Sequence, residues 1–240
     1  DGQISFSDDE TKLYFGLALP EIVQDTLLLK EEIVNVEVWT YDEPRLYTVQ
    51  EQQVKNDKKK SFQTVYHLKE DKLIQIATKE FPNALLSNEG DGDYALISNP
   101  EPYQLSSQWT ALFSKNDLAV ININSGDSKL AIESNPSTSR FSPKGEYAYG
   151  YNKVDSTWYT YNINSSKYTE LTKGMVFYNE LNDSPDYPRS YGLAGWTKND
   201  KKILIYDRYD IWEFNPDDAS SKRLTKGRET KTSFRYAKLD

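Results

Sequence analysis

The sequence predicts an all-β chain: a β-propeller segment of about four four-stranded antiparallel blades, with one short helical insertion near residues 43–58. Three observations carry that reading. A polar turn followed by an alternating strand recurs at four places. A strand hairpin with a similar close follows each of them. Apolar residues make up only 37% of the 240 positions, below the roughly 45–50% usual for a globular domain. Eighteen Tyr and five Trp offset the shortfall, since one aromatic ring buries roughly 150–250 Å². Such a composition suits a core that is thin, aromatic and divided among several small sheets.

The four turn-and-strand stretches are FSDDETKLYF from Phe6, LSNEGDGDYALI from Leu86, FSPKGEYAYGY from Phe141 and WTKNDKKILIY from Trp196. Their starts lie 80, 55 and 55 residues apart. Each opens on an aromatic residue or Leu, then Ser or Thr, then turn formers. Asp, Asn and Ser close turns through their own side chains, Pro presets φ, and Gly accepts a positive φ. Alternation follows each turn: Leu13 and Phe15, Tyr94 and Leu96, Tyr147 and Tyr149, Ile203 and Ile205. A period of two over this length marks a strand with one face buried.

A hairpin comes next in every unit. It turns around Lys69–Asp71, around Ser125, Gly126 and Asp127, around Asn164, Ser165 and Ser166, and around Asn215, Pro216 and Asp217. The units close on Ile76-Ala77-Thr78-Lys79, Leu130-Ala131-Ile132-Glu133, Leu171-Thr172-Lys173-Gly174 and Leu224-Thr225-Lys226-Gly227. One small sheet cannot bury both of its faces. Stacking copies around an axis solves this, which is the propeller arrangement. The expected units run over 1–80, 81–135, 136–175 and 176–228, with 229–240 opening a further blade.

The first unit holds about 25 extra residues. Asp42-Glu43-Pro44 reads as a helix start, with Pro in the first turn and acids near the positive end of the helix dipole. RLYTVQEQQVKNDKKK continues it with strong helix formers and a narrow apolar face at Leu46 and Val49. The expectation is a short helix on the surface, its end solvated by the basic run at 56–60. Before it, IVNVEVWTY alternates, placing Val34, Val36 and Val38 on one face of a strand that ends at Trp39 and Tyr41. LPEIVQDTLLLKEE reads as a loop whose apolar residues pack against something.

Charge and motif content exclude several function classes. A net charge of -8 opposes binding to a phosphate backbone, so no nucleic-acid partner is expected. No apolar run approaches the roughly 20 residues of a membrane helix, so no membrane span is expected. Without Cys there are no disulfides and no thiolate metal sites. There is no Gly-x-Ser-x-Gly nucleophile turn and no H-E-x-x-H. The one histidine, His67, stands in an alternating strand and reads as a half-buried strand residue. EGDGDYAL continues into a strand and reads as a turn, not a phosphate cradle. The acidic clusters Asp8-Asp9-Glu10, Asp91 with Asp93, and Asp217-Asp218 lack the alternating oxygen ligands and closing Glu of a calcium loop. No catalytic residue, metal or cofactor is therefore expected in this chain, and it should hydrolyse no peptide alone.

FSPKGEY followed by strands and a Leu-Thr close resembles the blades of TolB-like and dipeptidyl peptidase IV-like propellers. The stretch from Tyr191 to Asp240, and VEVWTYDEPRL with VYHLKEDKLIQIAT, resemble more specifically the propeller of prolyl oligopeptidase-family serine peptidases of Bacteroides-type bacteria. The resemblance implies a larger parent protein, in which an α/β-hydrolase domain carries the catalytic groups and the propeller gates or orients peptide substrate. It also implies an exported, periplasmic or secreted location. Partners would be that hydrolase domain and the peptide. Candidate substrate contacts are Asp207, Arg208 and Tyr209 in the turn YDRYD, and Tyr187, Arg189 and Tyr191 in the long loop NELNDSPDYPRSYG. Arg208 and Arg189 could take a peptide carboxylate, with structural salt bridges as the alternative. Two other functions stay open: a stand-alone interaction propeller of TolB-like type, and a small glycan-active propeller needing two facing carboxylates.

Overall fold

The computed structural model describes residues 4–20, 27–33, 36, 39–110 and 114–237. Among the described residues, sixteen strands form four antiparallel sheets, each a meander of four consecutive strands. The first holds β1 (Ser5–Phe6), β2 (Lys12–Ala18), β3 (Ser61–His67) and β4 (Lys72–Gln75). The second holds β5 (Asn83–Leu86), β6 (Tyr94–Asn99), β7 (Asn116–Asn122) and β8 (Ser128–Asn135). The third holds β9 (Arg140–Phe141), β10 (Tyr147–Asn152), β11 (Thr157–Asn162) and β12 (Tyr168–Glu170), and the fourth β13 (Leu193–Trp196), β14 (Ile203–Tyr206), β15 (Ile211–Phe214) and β16 (Ser221–Arg223).

The recurring Ser or Thr acts as a clamp across the turn between the first two strands of each sheet. Its hydroxyl oxygen accepts the backbone N–H of Lys12 onto Ser7 (3.0 Å), Tyr94 onto Ser87 (3.4 Å), Tyr147 onto Ser142 (3.0 Å) and Lys202 onto Thr197 (2.9 Å). The residue three positions further on takes a left-handed conformation in every copy: Glu10, Gly90, Gly145 and Asp200. Gly suits that conformation at no steric cost, and Asp tolerates it.

Consecutive sheets pack face to face. Tyr14, Val65 and Ile74 of the first sheet meet Ala95, Ile97, Ala119 and Ile121 of the second. The other face of the second sheet, Leu96, Leu118 and Val120, meets Ala148 and Tyr161 of the third. Trp158 and Leu171 then meet Ile203, Ile205 and Phe214 of the fourth, with Phe177 between them. Two-sided burial explains why β6 and β7 read as nearly continuous apolar runs. Each fully buried aliphatic side chain stabilises the stack by roughly 1.5–3 kcal/mol.

Polar joints fix the spacing of the sheets at the clamped turns. Tyr14 donates to the Gly90 carbonyl at 2.6 Å. Asp200, only 1% exposed, accepts from the Ser142 hydroxyl at 2.6 Å and from the Lys144 N–H at 2.9 Å. The hairpins add further ties. His67 Nε2 lies 2.8 Å from the Ile123 carbonyl, and Thr160 donates to the Pro216 carbonyl at 2.6 Å. His67 is thus buried rather than half-buried: the next sheet's hairpin closes over it.

All connections at the clamped end are short, with none longer than the seven residues of 87–93. The connections 19–60, 100–115 and 171–192 all leave from the opposite end. We refer to these as the turn end and the loop end.

The first long connection differs from its expected form in three ways. Its helix, α1 (Tyr47–Lys58), starts three residues after Pro44 and buries no residue. Arg45 bonds Gln53 and Asp57, so the segment before α1 folds back along it instead of extending it. A second helix, α2 (Glu101–Thr110), supports α1, with Gln108 accepting from the Leu46 N–H and donating to the Pro44 carbonyl, both at 2.7 Å. No strand forms at Val36, Trp39 or Tyr41, which are exposed; Val34 and Val38 lie outside the described residues. Pairing explains this, because β3 occupies the edge of β2 over its whole length. Leu27, Leu28 and Leu29, expected to pack, are exposed; Ile22 and Val23 of the same stretch lie outside the described residues.

Candidate binding site at the loop end

All six residues named from the sequence as substrate contacts lie at the loop end. Asp207–Tyr209 form the turn from β14 to β15, and Tyr187, Arg189 and Tyr191 belong to the 171–192 connection. Four of the six join one network. Asp207 is 4% exposed and is committed to its own turn. Its carboxylate accepts from the N–H groups of Tyr209 and Asp210, from the indole N–H of Trp212 at 3.1 Å and from Arg228 at 3.4 Å. Arg208 pairs with Glu180 at 3.4 Å. The guanidinium groups of Arg208 and Arg228 sit 5.1 and 5.3 Å from the Tyr209 ring centre, a cation–π geometry. Tyr191 accepts the Glu180 N–H on its hydroxyl at 2.9 Å.

Tyr187 and Arg189 are exposed, and the Arg189 carbonyl accepts the Asn179 N–H at 2.7 Å. Between them, the Pro188 carbonyl accepts the Tyr151 hydroxyl at 2.9 Å, which pins the long loop to the third sheet.

Glu180, Asp210 and Arg228 are the residues that sequence reading missed. Glu180 takes Arg228 at 2.8 Å and Arg208 at 3.4 Å. The Arg228 hydrogen bond chiefly holds its carboxyl below the ordinary value, and Arg208 adds to this against the cost of burial. Asp210 is fully buried. Burial pushes its carboxyl up, but hydrogen bonds from Thr225, Gly227 and Arg228 outweigh this, and the net direction is down. The two acids lie 48 and 18 residues from Arg228 in sequence, so no local pattern announces them. Together they tie the 171–192 connection to the segment after β16, and Glu180 and Arg228 border a cleft of about 340 Å³ with Phe177 and Trp212.

A larger cavity, about 760 Å³, also opens at the loop end. Its walls come from the starts of β7 and β11, from residues 136–140, from β10 and from Leu193. The floor rests on a polar knot. The Tyr159 hydroxyl lies 2.8 Å from both Ser137 and Ser139, and Asn135 bonds Ser139 at 3.0 Å. Gly150 lies against that knot because no side chain fits there. A Cβ on it would stand 2.6 Å from the Tyr159 hydroxyl and 2.7 Å from Ser137 Oγ. Among the described residues no group of three or more His, Asp or Glu is placed to hold a metal ion, and no helix is long and apolar enough to cross a membrane.

No family model matches this sequence and no curated protein matches it. Solved structures of similar architecture do exist. A TolB from Agrobacterium tumefaciens matches with a TM-score of 0.42 at 15% identity, over 94% of this chain and 61% of that one. An oligogalacturonate lyase in complex with manganese matches with a TM-score of 0.47 at 10% identity, over 92% of this chain and 52% of that one. Porphyromonas gingivalis dipeptidyl peptidase 4 matches with a TM-score of 0.45 at 13% identity, over 92% of this chain and 30% of that one. The protein thus spans less than two thirds of the length of each. The likeness concerns the fold alone.

Proposed function

We propose that this protein is a non-catalytic, propeller-type interaction module that receives a partner polypeptide at its loop end. One observation carries the reading. The stack places every long connection, the Arg–Tyr–Glu network and both clefts at the same end, while the turn end is short and clamped. Long connections on a rigid sheet scaffold are where binding groups concentrate. Cavities of roughly 300–1,000 Å³ with aromatic walls and a few polar groups suit ligand recognition. Gating of peptide for an α/β-hydrolase domain of the same parent protein is a narrower form of this reading: the face is the same and the peptide is in transit. An exported location belongs with that narrower form.

Site-specific photo-crosslinking in the native host tests the proposal. A benzoylphenylalanine at Tyr187 or Tyr209 is expected to capture a discrete polypeptide partner. The same group at Asn164 or Lys198, on the turn end, is expected to capture none. Capture from neither end, or from the turn end only, refutes the proposal.

A further inference from the structure

The charge inventory of the larger cavity is one-sided. Arg140 and Lys153 line it, and among the described residues no Asp or Glu does, although the protein as a whole carries a net charge of -8. Of the six other arginines, five have side-chain partners, and Arg189 stands on the exposed 171–192 connection. Arg45, Arg208, Arg223 and Arg228 each pair with a carboxylate, and Arg235 donates to backbone carbonyls. The side chains of Arg140 and Lys153 make no hydrogen bond or ion pair among the described residues. Arg140 is held in β9, paired with Tyr149 of β10, so its backbone is fixed while its guanidinium stays uncommitted. Tyr149, Tyr151 and Trp158 supply flat walls. The indole nitrogen of Trp158, a further donor, has no partner among the described residues.

We infer that this cavity is a carboxylate-binding pocket for a polypeptide segment, with Arg140 as the main anion contact, Lys153 as a second positive charge and Tyr149, Tyr151 and Trp158 as the platform for the flanking residues. The inference rests on the interaction reading above and names the chemistry of its ligand. A guanidinium matches a carboxylate through two parallel N–H donors, and an ammonium adds charge without a fixed direction. Aromatic walls lower the local dielectric and strengthen both attractions. The carboxylate can come from Asp or Glu side chains or from the free C-terminus of the ligand, because the pocket chemistry is the same for both. Like-charge repulsion from the rest of this acidic protein makes an acidic ligand a poor match for other parts of its surface. That gives the two cations a discriminating role.

Peptide titrations by calorimetry on the intact protein test the inference. Three probes suffice: an acetylated and amidated peptide Gly-Glu-Phe-Glu-Gly, an acetylated Gly-Gln-Phe-Gln-Gly with a free C-terminus, and that neutral peptide amidated. At least one of the first two is expected to bind at least tenfold tighter than the third, and which one does so identifies the carboxylate source. Binding should weaken as salt rises. Arg140→Gln should weaken it about tenfold, and Arg140→Gln with Lys153→Gln should abolish it. Lys198→Gln, at the turn end, should leave it unchanged. Both cavity positions carry side chains without partners, so an unchanged unfolding midpoint is expected and confirms that the variants fold. Equal binding of all three peptides, binding indifferent to Arg140→Gln, or no binding at millimolar peptide overturns the assignment. Photo-crosslinking at Tyr187 and Tyr209 reads out separately: a partner captured equally by the parent and the double variant leaves the interaction reading standing and removes the pocket.

Discussion

Gly150→Ala isolates the contact on which the third sheet's packing beneath the cavity depends. Gly150 sits in β10 with an ordinary extended backbone, so alanine costs it nothing in conformation. The cost is steric, because the new Cβ would meet the Tyr159 hydroxyl at 2.6 Å, Ser137 Oγ at 2.7 Å and Tyr159 Cζ at 2.8 Å. Tyr159 is 1% exposed and cannot swing into solvent. Overpacking of this kind costs about 1–3 kcal/mol, and disturbing the Ser137 and Ser139 hydrogen bonds adds about 1 kcal/mol. A loss near the middle of that range, about 2–3 kcal/mol, lowers the unfolding midpoint of a protein this size by roughly 4–12 °C. Gly174→Ala is the matched control. Gly174 has φ 74° with nothing within 4 Å of the added Cβ, so its cost, roughly 1–2 kcal/mol, is purely conformational. Thermal and urea unfolding give the numbers. Tyr159→Leu should cost less in the Gly150→Ala background than in the parent, because it removes the group that alanine strikes. A Gly150→Ala variant within about 0.5 kcal/mol of the parent refutes the packing argument, as does strict additivity with Tyr159→Leu.

Two further perturbations follow from other parts of the stack. Ser142→Ala with Asp200→Asn forms a double-mutant cycle across the joint between the third and fourth sheets. A coupling of about 0.5–3 kcal/mol is expected, the range for residues sharing one hydrogen-bond network, and a coupling near zero removes the joint from the account. For Glu180→Gln the outcome depends on pH. The carboxyl of Glu180 lies below its ordinary value of 4.5 in the folded protein. Its contribution is therefore fully present above that value and is lost as pH falls through the lower folded one. Amide exchange across 171–192 should be faster in the variant than in the parent at pH 7. The two should converge as the parent is taken well below about pH 4. The energy at stake is modest, about 0.2–1 kcal/mol for each partly exposed arginine pair, and a difference that persists unchanged at low pH sinks the assignment.

What could be read from the sequence depended on the range of the interactions involved. The clamped turns were legible because each is closed by residues within seven positions of one another: the Ser or Thr, the left-handed residue three later, and the N–H that the hydroxyl accepts. Strand alternation was legible for the same reason. Val36, Trp39 and Tyr41 misled because alternation states only that a strand is possible; the sheet edge it needed belongs to β3. Helix α2 went unread although a signal was present. Asn99 precedes Pro100, and its side chain accepts the Glu101 N–H at 3.0 Å, the usual start of a helix. Its few apolar positions draw no clear face, and its partner, α1, lies more than 40 residues upstream. The candidate site was half visible. The turn YDRYD and the long loop were conspicuous as connections, but Glu180 and Arg228 meet only because the fourth sheet brings them together. Arg140 and Lys153 look like ordinary surface cations until the cavity shows that no acid lines it among the described residues.

The two ends of the stack therefore answer different physical demands. At the turn end, the clamp hydroxyls are spent on closing turns and Asp200 on holding the neighbouring sheet, so a change there alters stability first. At the loop end, the Glu180 and Asp210 clusters spend most of their charge on each other, which makes them supports. Among the described residues, Arg140 and Lys153 line the larger cavity with no hydrogen bond or ion pair from their side chains. A buried donor already satisfied in the free protein gains little from a ligand, whereas an uncommitted guanidinium beside aromatic walls gains a charge-assisted bond without losing one. On that ground the cavity under Arg140, more than the conspicuous YDRYD turn, is where substitution should change binding while leaving the fold intact.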